Sequence, residues 1–215
     1  MIVRNTVTRS VLGAAAVSIC LGASACSTQT PGTATPAPGG SGKPSSSRAA
    51  DPNVPKVSQP LSVAKYESDP CQTIPQSVLT ALRYTDPGKV QPRDNSPAGE
   101  VGPSCGWVIG AEGLGLQVIL ETGNRDKGIG GIAGQYTGKR MGQLGFVIPA
   151  PDVDGYPAVY ADLKDRRAEG NCSLVVGIAD DLVFSVGAEG YKGEQDSCRV
   201  AQQAASAVIK TLKGA

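Results

Sequence analysis

Apolar and polar residues alternate most regularly in the second half of the chain. In Leu114-Gly-Leu-Gln-Val-Ile-Leu-Glu-Thr122, the side chains of Leu114, Leu116, Val118 and Leu120 fall on one face of a strand. Ser104-Cys-Gly-Trp-Val-Ile109 reads as the strand before it, and Gly110-Ala-Glu-Gly113 closes the two into a hairpin. Tyr156 to Leu163 and Cys172 to Ala179 are two further strands. Asp181 to Ala188 returns from the latter through a tight turn at Asp180-Asp181. Phe146-Val-Ile148 begins another strand.

Helical spacing appears at both ends of this run. Val78, Leu79 and Leu82 make a stripe over Pro75 to Arg83, with Pro75 suited to a first helical position. From Cys198 to Lys213, Val200, Ala201, Ala204, Ala205, Val208, Ile209 and Leu212 form one narrow, small-residue face, with Asp196 as the expected cap. Tyr84 to Pro103 reads as a long polar loop, and Lys127 to Leu144 as a glycine-rich segment with a short helix. Adjacent strands with helices at either end predict an α+β fold, an antiparallel β-sheet with flanking helices.

The first quarter of the chain has no such pattern. Arg4 and Arg9 precede the apolar stretch Val11 to Ala23, which is too short to span a bilayer and is followed by small residues. This is the order of an export signal, placed at residues 1–25. Leu21-Gly-Ala-Ser-Ala-Cys26-Ser resembles a bacterial lipobox, which predicts acylation of Cys26. Residues 26–60 then hold seven of the 16 prolines and few large apolar side chains. Such a composition predicts a disordered tether. A single folded domain is expected over 61–215.

Charge and cysteine content sharpen this picture. Four of the 20 basic residues and none of the 19 acidic ones precede Asp51, so the remainder of the chain carries −3. That balance argues against nucleic-acid binding, which needs a strong positive field. Of six cysteines, Cys20 lies in the signal and Cys26 in the lipobox, leaving Cys71, Cys105, Cys172 and Cys198 in the domain. An even number in an exported domain reads as two disulfides. Three pairings are open; Cys71–Cys105 with Cys172–Cys198 is favoured. A four-thiolate zinc site wants C-x-x-C knuckles, and none occurs.

Asp69-Pro-Cys71, Cys105-Gly-Trp107, Gly155-Tyr-Pro-Ala-Val159, Cys172-Ser-Leu-Val-Val176 and Asp196-Ser-Cys198 are similar, in order and spacing, to an actinobacterial lipoprotein family catalogued as domain of unknown function 3558. The resemblance covers roughly Ser68 to Leu212 and implies a lipid-anchored envelope protein with disulfides and an αβ sandwich. It implies no activity and carries no catalytic residues.

Candidate chemistry is sparse. The chain has no histidine, which removes His-dependent triads, Cys–His dyads and His-bearing metal sites. Gly128-Ile-Gly-Gly-Ile-Ala133, with Asp152 further on, fits a dinucleotide fingerprint formally, but no strand leads directly into it. Asp152-Val-Asp154-Gly155 resembles the start of a calcium loop without the distal glutamate, and reads as a turn. Asp180-Asp181 also reads as a turn, and Lys164-Asp-Arg-Arg167 as a charged hairpin tip. Trp107 shares a strand face with Cys105 and reads as core. A hydrolase would need a Ser–Lys pair or carboxylates, for which Ser173, Ser185, Lys65 and Lys192 are the nominal residues.

The expectation is therefore a non-catalytic binding or accessory module with no cofactor and no metal. It is held to the outer face of the cell membrane through Cys26, with an envelope protein, a lipid or a glycan as partner. An envelope hydrolase with a Ser/Lys or carboxylate site is the alternative.

Overall fold

The predicted strands pair into one antiparallel sheet. A computed structural model describes residues 54–94 and 99–214. The expected signal at 1–25, the expected lipidation residue Cys26 and the expected tether up to residue 53 lie outside the described residues. Among those described, seven strands occur: β1 (Lys89–Gln91), β2 (Ser104–Ile109), β3 (Leu114–Leu120), β4 (Phe146–Val153), β5 (Tyr156–Asp162), β6 (Cys172–Ala179) and β7 (Leu182–Glu189). Their order across the sheet is β1-β2-β3-β7-β6-β5-β4. The four α-helices among these residues are α1 (Gln76–Ala81), α2 (Thr122–Asp126), α3 (Gly131–Arg140) and α4 (Glu194–Lys213). None of them is long and apolar enough to cross a membrane.

Strand alternation sends side chains to two separate interiors. Leu174, Val176 and Ile178 of β6 join Phe184, Val186 and Ala188 of β7 in the larger one, which α4 covers. Val200, Ala201, Ala204, Ala205, Val208 and Ile209 of α4 are all buried there, as the helical spacing predicts. The alanines let the helix lie close to the sheet. Trp107 and Cys105 belong to the same interior. The neighbouring residues Val175 and Val183 face the other way, packing with Ile132, Val159 and Ala161 under α3. The architecture is thus α+β, a sheet with helices on both faces.

Two disulfides brace the α4 side. Cys71, in a short 3-10 turn (Pro70–Thr73), is joined to Cys105 on β2, and Cys172 at the start of β6 to Cys198 in α4. This is the favoured pairing.

Several expectations require correction. The closing helix starts at Glu194, four residues before Cys198, and Gly193 precedes it with φ of 94°, a conformation cheap only for glycine. Asp196 does not cap it but lies inside the first turn, where its carboxylate suits the helix dipole and meets Arg199 at 3.5 Å. Pro75 stands just outside α1 rather than at its first position. The strand beginning at Phe146 runs on to Val153 through Pro149 and Pro151. It can do so because β4 is an edge strand, where a missing N–H costs no ladder bond. The loop from Tyr84 to Pro103 contains the other edge, β1, three exposed residues without apolar alternation. The strand expected through Thr122 ends at Leu120, because Thr122 opens α2.

Residues 54–60, expected to belong to the tether, are tied to the folded domain. Val54 and Val57 pack against the two interiors, the Val57 N–H donates to Asp180 Oδ1 at 3.2 Å, and Tyr156 donates its hydroxyl proton to the Gln59 carbonyl at 2.9 Å. Two valines in a proline-rich stretch supply the burial that composition alone conceals. Of the charged tip, Lys164, Asp165 and Arg166 are exposed and Arg167 alone is drawn inward. The largely buried Arg167 meets Asp165 at 2.7 Å and Glu194 at 2.6 Å, and lies 5.0 Å over the Tyr160 ring.

Candidate functional site

Where β3 leaves the sheet, the chain turns a carboxylate inward. The Glu121 N–H donates to the Val183 carbonyl at 3.2 Å, and the Glu121 carbonyl accepts from Arg125 N–H as α2 begins. This fixes the backbone so that the side chain points between the sheet and α3, with 5% of the residue exposed. Its Oε2 accepts from Asn124 Nδ2 at 2.7 Å and from Gln135 Nε2 at 3.2 Å, and Ser185 of β7 supplies a third hydrogen bond.

All three partners are neutral. Of the cations on the nearby segments, Lys127 pairs with Glu100 at 2.9 Å and Arg125 with Asp126 at 3.1 Å and Glu67 at 3.9 Å, while on α3 Lys139 donates to the Gly145 carbonyl and Arg140 to Thr137 Oγ1. Burial pushes the Glu121 carboxyl above the usual carboxylate range, and the hydrogen bonds from Asn124, Ser185 and Gln135 offset only part of that. The adjacent Thr122 hydroxyl is buried and has no hydrogen-bond partner among the described residues. This turn of chain therefore holds two polar groups whose desolvation is incompletely compensated.

Glu121, Asn124 and Gln135 form the polar wall of an open cavity of about 280 Å³. Val101, Ile129, Met141 and Leu144 supply its apolar wall. Met141 and Ile129 are 67% and 42% exposed, so a stretch of apolar surface stands uncovered beside a buried acid. The cavity is at the small end of the range for ligand sites, and its mix of apolar lining with a few convergent polar groups is typical of them.

A second cavity, about 380 Å³, lies between α1, the β2–β3 turn and the start of α4. Tyr84 and Tyr191 share a hydrogen bond of 2.7 Å between their hydroxyls nearby, and burial raises both phenols. Arg83 pairs with Glu112 in its wall, and Arg199 with Asp196. Those pairs are exposed, and the tyrosines satisfy each other. The Glu121 cavity is distinguished by a carboxyl that is buried and has no charged partner.

The residues singled out in the sequence are scattered by the fold. Gly130 and Gly131 lead into α3 and lie against the Asp180-Asp181 turn so closely that a Cβ on either would sit 2.0–2.1 Å from a backbone oxygen. The Gly128–Ala133 run therefore packs one loop on another, and no strand feeds it. Asp154, with φ of 48°, forms the β4–β5 turn with Gly155 and accepts from Ser206 Oγ at 2.7 Å. Ser173 and Ser185 line a small recess on the sheet, and neither Lys65 nor Lys192 hydrogen-bonds to them. Among the described residues no three His, Cys, Asp or Glu side chains gather as a metal site would require.

Glu121 escapes sequence reading. It stands opposite Leu120 in the alternation, as a solvent-facing strand residue would. Only the run Glu121-Thr-Gly-Asn124, a strand end meeting a helix start, hints that the chain folds back over it.

The chain belongs to the family described as "Protein of unknown function (DUF3558)", whose model matches residues 21–211. Comparison with curated proteins and with solved structures finds no match.

Proposed function

We propose that this DUF3558 chain is a lipid-anchored envelope protein that works by binding a small molecule in the Glu121 cavity rather than by catalysis. The observation carrying this reading is a buried carboxylate without a cationic partner in the wall of an open cavity with an apolar mouth. A buried charge is retained at a cost unless something pairs with it. A ligand that completes the site turns that cost into affinity.

Anchoring rests on the order of residues at the start of the chain: Arg4 and Arg9, the apolar run to Ala23, then the lipobox-like Leu21 to Ser27. Labelled palmitate is expected to enter the wild type and not a Cys26→Ala variant. Acyl chains on Cys26 would hold the protein at the outer face of the cell membrane, each buried methylene adding about 0.8 kcal/mol.

One observation favours a hydrolase instead, since a raised carboxyl in a cleft suits a general acid. The groups within hydrogen-bond reach of Glu121 are two amides and a hydroxyl, with no second carboxylate and no base, so binding is the better supported reading. Native mass spectrometry of the full chain taken from its own envelope tests it. A retained mass lost from Glu121→Gln is expected; turnover of a generic ester or glycoside library by the wild type would overturn it.

A further inference from the structure

We propose that the ligand of the Glu121 cavity carries a primary ammonium group on a short apolar chain, with the ammonium paired to the Glu121 carboxylate; this rests on reading that cavity as a binding site. A carboxylate offers about four lone-pair positions. Asn124 and Gln135 take two of them on Oε2, which leaves room for a further donor. A guanidinium fork needs both oxygens at once, and the two amides on Oε2 obstruct it. A compact ammonium needs only one position.

The amide N–H groups facing Oε2 also fix the polarity of the site. They stabilise a carboxylate, and the missing element is then a positive charge. Beyond the carboxylate the cavity turns apolar, and the exposed Ile129 and Met141 at its mouth would cover the hydrocarbon part of such a ligand. Of the charged groups on the neighbouring segments, Lys127 pairs with Glu100, and Arg125 with Asp126 and Glu67. On α3, Lys139 donates to the Gly145 carbonyl and Arg140 to Thr137 Oγ1, so none of these cations is hydrogen-bonded to Glu121.

Calorimetric titration of the full chain with n-butylammonium, 1-butanol and n-butylguanidinium tests the assignment. Saturable binding of n-butylammonium is expected, at least tenfold tighter than either of the other two and at least tenfold weaker in Glu121→Gln. Glutamine keeps the shape and hydrogen bonds of the site, so folding is preserved. The wild type provides a check that needs no variant. Its affinity for n-butylammonium should fall as pH is lowered and Glu121 protonates, since the amine stays charged below about pH 9.

Equal binding of 1-butanol, or an affinity independent of pH from about 4 to 9, would overturn the proposal. Displacement by vesicles containing phosphatidylethanolamine would uphold the ammonium and identify a lipid headgroup as its source; lack of displacement would uphold a soluble amine. A neutral or anionic mass retained from the envelope would sink the ammonium while leaving the binding module. No retained mass and no saturable probe would sink both.

Discussion

Val183 and Phe184 are neighbours on β7, yet their side chains enter different interiors. Phe184 joins the α4 side, where β2, β3, β6, β7 and the helix contribute apolar residues and three of the four disulfide cysteines are buried. Val183 joins the α3 side, where only five buried apolar residues form the cluster and a carboxylate lies close by. One face carries stability and the other tolerates a group that opposes it. A site with an uncompensated charge needs a scaffold with stability to spare, and the α4 side supplies it.

The largest expected effect breaks the α4 side. Phe184→Ala should cost about 3–5 kcal/mol, since the site is fully buried between helix and sheet and cannot collapse around the void. Ile132→Ala, on the α3 side, should cost about 2 kcal/mol, at the low end for such a truncation, because its surroundings already border a small cavity with Val54. Urea unfolding at constant m-value checks both. Equal losses would remove the asymmetry between the faces.

Replacing Cys172 and Cys198 together by alanine is the next step down. It should cost about 2–4 kcal/mol, by freeing the unfolded chain between β6 and α4. The loss is expected in the midpoint of unfolding and not in ligand binding at Glu121, because the bond lies on the opposite face of the sheet.

Glu121→Gln should act with the opposite sign. The folded-state carboxyl titrates above its unfolded value, so between the two the native state holds a proton that the unfolded state has lost. Stability is then full below the unfolded pKa and is lost as pH rises through the folded one. The variant should lack this slope and become more stable than the wild type by a margin that widens as pH rises from the unfolded pKa to the folded one and is constant above it. Parallel pH–stability curves for the two proteins would show that the carboxylate is fully compensated in place.

What the sequence makes legible follows the same division. The α4 side could be read almost residue by residue: the Leu114–Leu120 alternation, the alanine-rich helical face and the sequential disulfides all survive in three dimensions. Those signals are periodic, and periodicity is what burial of one face imposes on a chain. The α3 side is aperiodic. Its helix is built on Gly131-Ile-Ala-Gly and buries few large side chains, so nothing in it announces that it covers a sheet. Without that cover, Glu121 reads as the exposed end of a strand. The edges were harder to read for a different reason: β4 shows its start at Phe146 to Ile148 but continues through two prolines, and β1 is three exposed residues long. Edge strands are shaped by what they must not pair with, and that leaves no apolar pattern.

The smallest expected effect asks whether the α4 side holds anything besides stability. Arg83 follows α1 with φ of 75°, in the left-handed region. Its N–H donates to the Thr80 carbonyl at 2.9 Å and the next N–H, of Tyr84, to Leu79 at 2.8 Å, the paired bonds of a Schellman cap in which glycine is the usual residue. An arginine there costs about 1–2 kcal/mol of backbone strain. Arg83→Gly relieves that strain, loses an exposed ion pair with Glu112 worth about 0–1 kcal/mol, and adds freedom to the unfolded chain worth about 0.5–1 kcal/mol. These nearly cancel, so the midpoint of unfolding should shift by less than about 1 kcal/mol in either direction. A silent Arg83→Gly would leave the cavity beside Tyr84 and Tyr191 as packing between helix and hairpin. If the variant instead kept its stability and lost a mass retained by the wild type, the strained arginine would be held for a ligand, and the α4 face would carry a site of its own.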